Sequence, residues 1–145
     1  MTDPYELERF VSAQNRAGTF ETAVAELRAG RKRSHWMWFV FPQIAGLGHS
    51  PMSQRYAIAS LDEARAYLAH PVLGPRLIEC ATIVNALEGL RAEDIFGGID
   101  ALKLRSSMTL FAYADSANPI FGQVLEAYFG GIPDGATERL LGAER

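Results

Sequence analysis

Sulfur crosslinking is excluded at the outset. The 145 residues contain one cysteine, Cys80, so no disulfide can form within the chain, and a reducing compartment is compatible with it. Apolar runs long enough for a membrane span are also missing. The opening Met1-Thr2-Asp3-Pro4 has no basic segment leading into an apolar one, so no signal peptide is expected. Histidine is scarce: His35, His49 and His70 lack the paired spacing of a zinc site, and Cys80 falls on an apolar helix face, so no metal is expected. That apolar setting also disfavours Cys80 as a nucleophile, because burial raises a thiol's pKa. Positive charge is not in excess. The formal net charge of −3 argues against non-specific nucleic-acid binding by the molecule as a whole. Glycine-rich phosphate loops, dinucleotide fingerprints and the Gly-x-Ser-x-Gly elbow do not occur, and no cofactor is expected. The profile is that of a cytoplasmic, bacterial-type protein that does not enter membranes.

What is present is concentrated. Both tryptophans and two of the eight phenylalanines lie between Arg33 and Gln43. The run Trp36–Phe41 is apolar on every side, so it needs enclosure, and Trp38 and Phe41 are expected to be largely buried. Polar and basic groups bracket the run: Arg31 to His35 before it, and Gln43, His49 and Ser50 after it. Gly46 and Gly48 give the following loop unusual backbone freedom and free amides. Such a stretch suits either a site or a hydrophobic spine that ends in a turn. No second strand candidate exists to pair with it, which favours a short helix or an irregular buried segment.

Elsewhere the chain reads as helices with explicit boundaries. Asp3-Pro4 with Glu6 starts one, followed by Leu7, Phe10, Val11 and Gln14 at helical spacing. Thr19 is expected to cap the next, with Phe20, Val24 and Leu27 inward. Arg28, Arg31, Lys32 and Arg33 crowd its end, where they suit either a helix C-terminus or an anion contact. Ser60 with Glu63 forms a capping-box pattern, and Leu77, Cys80, Ala81, Val84 and Leu87 share a face further on. Glu93–Gly98 reads as a turn with an aromatic plug, and Asp100 as the cap of a helix reaching about Ala114. Asn118-Pro119 opens a strong stripe that Gly130-Gly131 stops, and Asp134 caps a last short helix. Residues 1–145 are thus expected to form one all-α domain, a multihelical bundle of about six or seven helices with short connections.

Two stretches carry candidate chemistry. His35 stands at the base of the aromatic run, where a lone histidine is either a hydrogen-bonded structural residue or a catalyst. Lys103, Ser106 and Ser107 share a helix face with Asp100 one turn earlier. A lysine with two hydroxyls near a helix start suits a phosphate or carboxylate, although an ordinary Asp100–Lys103 pair with solvated serines explains the same pattern. The complementary chemistry points to one pocket, with the loop from Gln43 to Ser50 facing the Lys103–Ser107 helix and His35 at its base. Trp36, Gln43, Gly46, Gly48, His49, Ser50, Lys103, Ser106 and Ser107 are the candidate ligand contacts. His35 and Asp100 are the candidate acid or base.

The segments Ser34-His-Trp-Met-Trp-Phe-Val-Phe-Pro-Gln43, Gly46-Leu-Gly-His-Ser50, Glu63-Ala-Arg-Ala-Tyr-Leu68, Ile95-Phe-Gly-Gly-Ile-Asp100 and Lys103-Leu-Arg-Ser-Ser-Met-Thr-Leu-Phe111 resemble the bacterial DUF1810 family over nearly the whole chain. The resemblance implies an all-helical single domain and brings no activity with it. In layout alone the chain is similar to NADAR-type glycosidases acting on ADP-ribose groups, which also pair a tryptophan-bearing segment with a later lysine- and methionine-containing helix.

Two readings of function follow. In the first, the pocket binds a small phosphorylated or nucleotide-like anion, stacked on aromatic rings and held by Lys103 and nearby arginines, with glycosidase-type activity on ADP-ribose-like groups as its catalytic form. In the second, a non-catalytic helical module acts through protein–protein contact or self-association, and an exposed apolar patch without a deep pocket would mark it.

Overall fold

Side chains that give acceptors to unpaired amides set most of the helix starts among the described residues. The structure is a computed structural model that describes residues 3–142. Met1 and Thr2, part of the start discussed above, lie outside the described residues. Asp3 accepts from the amides of Leu7 and Glu8 at 2.8 and 3.0 Å and so opens α1 (Glu8–Asn15). A 3₁₀ turn over Arg16–Gly18 leads into α2 (Thr19–Arg28). Thr19 does not cap it: Gly18 holds that place at φ 69°, and the Thr19 hydroxyl donates to the Arg16 carbonyl at 2.6 Å.

The aromatic run folds as α3 (Met37–Val40), a single helical turn between irregular segments. After it, Ser50 caps α4 (Pro51–Arg55) by accepting from the Ser53 amide at 3.1 Å. Ser60 does the same for α5 (Leu61–Ala69) through the Glu63 amide. His70 Nδ1 accepts from the amides of Val72 and Leu73 at the start of α6 (Leu73–Ala86). Asn118 serves α8 (Ile120–Phe129), and Asp134 serves α9 (Gly135–Gly142). The all-α expectation holds, and among the described residues seven helices have eight residues or more. Among the described residues the only β-type pairing is one isolated parallel bridge, Ile44 to Ile58.

The segment Glu93–Gly98 departs from expectation. It is not a turn before a helix but the first part of α7 (Ala92–Ala114). Asp94 starts the helix by accepting from the Arg91 amide at 2.8 Å. The Gly-Gly signal marks a break inside the helix instead: Gly97 sits at φ 79°, ψ 168°, a conformation open to glycine and strained for other residues. Asp100 therefore lies within α7 and caps nothing.

A ladder of rings runs through the middle of the bundle. Phe10 of α1 meets Tyr67 of α5 edge-on at 5.1 Å, Tyr67 meets Phe111 of α7 at 5.4 Å, and Phe111 meets Phe121 of α8 at 5.8 Å. A second set joins Trp36 to Phe41 at 6.3 Å and Phe41 to Phe96 at 6.1 Å. Trp36 and Phe41 are fully buried, but Trp38 is only half-buried. Met37, Phe39 and Val40 all bury their side chains, so Trp38 occupies the one outward position of this short turn. A buried Gln14 anchors α3 by donating from Nε2 to the Phe39 carbonyl at 2.8 Å, while Arg76 of α6 donates to its Oε1 at 3.2 Å.

Candidate functional site

The chain between Gln43 and Ile58 leaves the bundle and returns to its starting point. The Ile58 amide donates to the Gln43 carbonyl, and the Ala45 amide to the Ile58 carbonyl, each at 2.8 Å. Within this excursion Gly48 lies against α4. A Cβ placed at Gly48 would come within 2.5 Å of both Cβ and Oγ of Ser53, so this approach requires glycine. The loop and α7 face each other across a cleft of about 200 Å³ lined by Gln43, Leu47, Gly48, Ser53, Ile99, Leu102, Lys103 and Ser106. A second cavity of about 150 Å³ adjoins it, sharing Gln43, Gly48 and Ser53 and adding Gly46. The half-buried carboxamide of Gln43 has no hydrogen-bond partner among the described residues.

Behind the cleft lies a charge cluster. Asp100 receives Lys103 on Oδ1 at 3.1 Å and Lys32 on Oδ2 at 2.9 Å. The Lys32 ammonium also donates to the Ser34 carbonyl and lies 5.2 Å from the Trp36 ring centroid. Lys103 sits 4.8 Å above the Trp38 ring, within cation–π range. Partial burial opposes ionisation of Asp100, but the bonds from Lys32 and Lys103 outweigh it and hold the carboxyl below its ordinary range. Asp100 is therefore an ionised partner of two ammonium groups. The segment that presents Lys32 is fixed by Glu26, which accepts from the amides of Arg33 and Ser34, the Ser34 hydroxyl and Trp36 Nε1. Burial opposes ionisation of Glu26 too, yet these four bonds bring its pKa down to about 2.

The candidate residues divide accordingly. Gln43, Gly48, Lys103 and Ser106 line one cleft, and Gly46 lines its neighbour. Asp100 stands behind Lys103 without lining either. Trp36 is fully buried, so its ring offers no stacking face. His35 and His49 are exposed and line neither cavity, although the His49 carbonyl accepts from Gln54 Nε2 at 3.1 Å. Ser50 is used as the α4 cap. Neither serine of α7 is solvated: Ser106 is nearly buried and donates to the Leu102 carbonyl at 3.1 Å, while Ser107 is fully buried with its hydroxyl unpartnered. The basic cluster separates, with Lys32 turned to Asp100, Arg28 3.9 Å from Glu79, and Arg31 and Arg33 exposed.

The family model described as "Protein of unknown function (DUF1810)" matches residues 4–141. The chain belongs to the DUF1810 family. The crystal structure of the conserved hypothetical protein Rv1873 from Mycobacterium tuberculosis is similar at 57% identity and a TM-score of 0.94, covering 97% of this chain and 99% of that one. Among curated proteins nothing matches.

Several residues that line this cleft of the DUF1810 protein escape a reading by motif. Leu47, Ser53, Ile99 and Leu102 line the cleft without any sequence mark, and Lys32 reaches Asp100 only through the fold. Ile99 and Leu102, apolar residues off the inward stripe of Leu104, Met108 and Phe111, were the available signal, and both are exposed. A wider, more open cavity of about 590 Å³ lies beside the Arg9–Glu63 pair, lined also by Tyr5, Glu6, Gln54 and Arg55. Its central cation is already engaged. Arg9 donates to the carbonyls of Tyr5, Glu6, Arg55 and Ala57 and to Glu63 Oε2, so it serves as a clamp between α1, α4 and α5. Among the described residues no group of histidine, cysteine and carboxylate side chains could hold a metal ion, and no helix is long and apolar enough to cross a membrane.

Proposed function

We propose that this protein binds a small molecule bearing an anionic group in the cleft between the Gln43–Ser53 segment and α7. One observation carries the reading: Gln43, Gly48 and Ser53 from the loop side and Lys103 and Ser106 from the helix side line the same cavity. The anionic group meets the Lys103 ammonium, whose other partners are Asp100 and the Trp38 face. The unpaired Gln43 carboxamide supplies orientation. Concave sites of this kind use few polar groups on an apolar wall, and Leu47, Ile99 and Leu102 form that wall. The lining includes neither histidine nor carboxylate to act as acid or base, so the reading is binding, and glycosidase chemistry is not part of it.

A thermal-shift screen against carboxylates, sugar phosphates and nucleotides tests the reading. A ligand at 100 times its Kd should add about 2.7 kcal/mol of stability. The gain should shrink in Lys103→Met and in Gln43→Ala. Equal stabilisation of wild type and both variants would overturn the cleft as the site.

The second reading, contact with another protein, is favoured by Ile99 and Leu102, which are 75% and 63% exposed at the rim of the cleft. Sedimentation velocity at increasing concentration tests its self-association form, in which the wild type should associate and Leu102→Asp should not.

A further inference from the structure

We infer that the ligand of the Lys103 cleft is a small monocarboxylate with an apolar body rather than a phosphorylated molecule. The inference rests on the reading of the cleft as a ligand site and adds the class of ligand. Three observations support it, from charge, size and lining.

Charge comes first. Lys32 and Lys103 share one carboxylate, so the cluster leaves a single uncompensated positive charge. Lys32 cannot add a second contact, because its side chain is 9% exposed and its ammonium is bonded to Asp100 and the Ser34 carbonyl. A bound phosphate dianion would meet one ammonium, with the Asp100 carboxylate 3.1 Å behind it. Phosphate sites gather several charge-assisted donors, often from arginine or from a run of backbone amides. Here the lining holds one charged residue, Lys103. The remaining side-chain donors are the Gln43 carboxamide and the Ser53 hydroxyl, since Ser106 already donates to the Leu102 carbonyl. One ammonium and one or two neutral donors match the two oxygens and single charge of a carboxylate.

Size and lining agree. The cleft of about 200 Å³ and the adjoining cavity of about 150 Å³ together sit at the lower edge of the roughly 300–1,000 Å³ typical of pockets for drug-sized ligands, which suits a small ligand better than a nucleotide. Stacking of a base is also unsupported: Trp36 is buried, and Lys103 covers a face of Trp38. Leu47, Ile99 and Leu102 are instead suited to a short hydrocarbon chain, whose contact would cover two of the most exposed apolar side chains of the fold.

The test is an amide-resolved NMR titration of the full chain with three probes of equal chain length: hexanoate, hexyl phosphate and hexan-1-ol. Hexanoate should give saturable shifts at Gln43, Gly48, Ser53, Leu102 and Lys103, and should bind at least tenfold more tightly than hexan-1-ol and no more weakly than hexyl phosphate. Lys103→Met should weaken hexanoate at least tenfold and leave hexan-1-ol unchanged. Leu102→Ser, which leaves the charge cluster intact, should weaken both. Tenfold tighter binding of hexyl phosphate would overturn the carboxylate inference while the cleft remained a ligand site, as would equal affinities for hexanoate and hexan-1-ol. Absence of saturable shifts at these residues with every probe would overturn both the inference and the reading on which it rests.

Discussion

Trp36 Nε1 donates to Glu26 Oε1 at 2.9 Å, joining a buried indole to a carboxylate that also holds the backbone of Arg33 and Ser34. The link fixes the only route by which the chain leaves α2 and enters the aromatic core. Glu26→Ala would leave the buried indole N–H without its acceptor, and a loss of about 1–3 kcal/mol in chemical denaturation is expected. A loss under about 0.5 kcal/mol would show that water replaces the carboxylate without cost.

The same residue gives a pH dependence with a defined sign. The folded pKa of Glu26, about 2, lies below the ordinary 4.5, so its stabilisation is fully present above pH 4.5 and is lost as the pH falls through 2. Acid titration of unfolding stability should therefore flatten between these limits in Glu26→Gln compared with wild type. An unchanged slope would assign the acid sensitivity to other carboxylates.

Arg9 and Glu63 meet at 2.9 Å with side chains 19% and 4% exposed. Removing one member leaves the other charge buried, so Arg9→Met should cost about 3–5 kcal/mol. The double replacement Arg9→Met with Glu63→Leu should cost less than Arg9→Met alone. Thermal unfolding of Arg9→Met, Glu63→Leu and the double variant decides it, and strict additivity would mean that the ions do not act as a pair.

The two tryptophans should behave differently. Trp36→Ala should destabilise by about 3–5 kcal/mol, while the half-buried Trp38 should cost clearly less. In wild-type protein, iodide should quench the fluorescence of Trp38 and leave that of Trp36. Each single-tryptophan variant, Trp36→Phe and Trp38→Phe, isolates one signal, and equal quenching in both would refute the assignment.

Legibility in the sequence followed the range of the interactions. The caps at Ser60, Asn118 and Asp134 depend on residues two or three positions away, and they fall where the sequence puts them or within a position of it, whereas Ser50, expected as a ligand contact, is spent on capping α4. Glycine pairs carry a double meaning. Gly130 ends α8, but Gly97 only interrupts α7, because Arg91 and Asp94 had already started that helix. Tertiary partnerships left no trace: Glu63 reads as half of a capping box, yet its carboxylate turns to Arg9 and to the Ala59 amide. The lining of the candidate cleft was legible where residue chemistry exceeded what the core required, as at Gln43 and Lys103. It was not legible at His35, where the burial of Trp36 and its bond to Glu26 decide the course of the chain.

The bridge between Ile44 and Ile58 has a further meaning. Both ends of the intervening segment meet through two backbone hydrogen bonds of 2.8 Å, and α4 within it buries no side chain. The segment is thus a cassette, fastened at its mouth by main-chain atoms that every sequence possesses. Surface loops of this kind accept replacement while their frame persists. Replacement of residues 46–55 would change three of the eight residues that line the cleft, Leu47, Gly48 and Ser53, while leaving Lys103, Asp100 and Lys32 where α7 and the Glu26 anchor hold them, which makes the wall of the cleft and the fold separable properties in this protein.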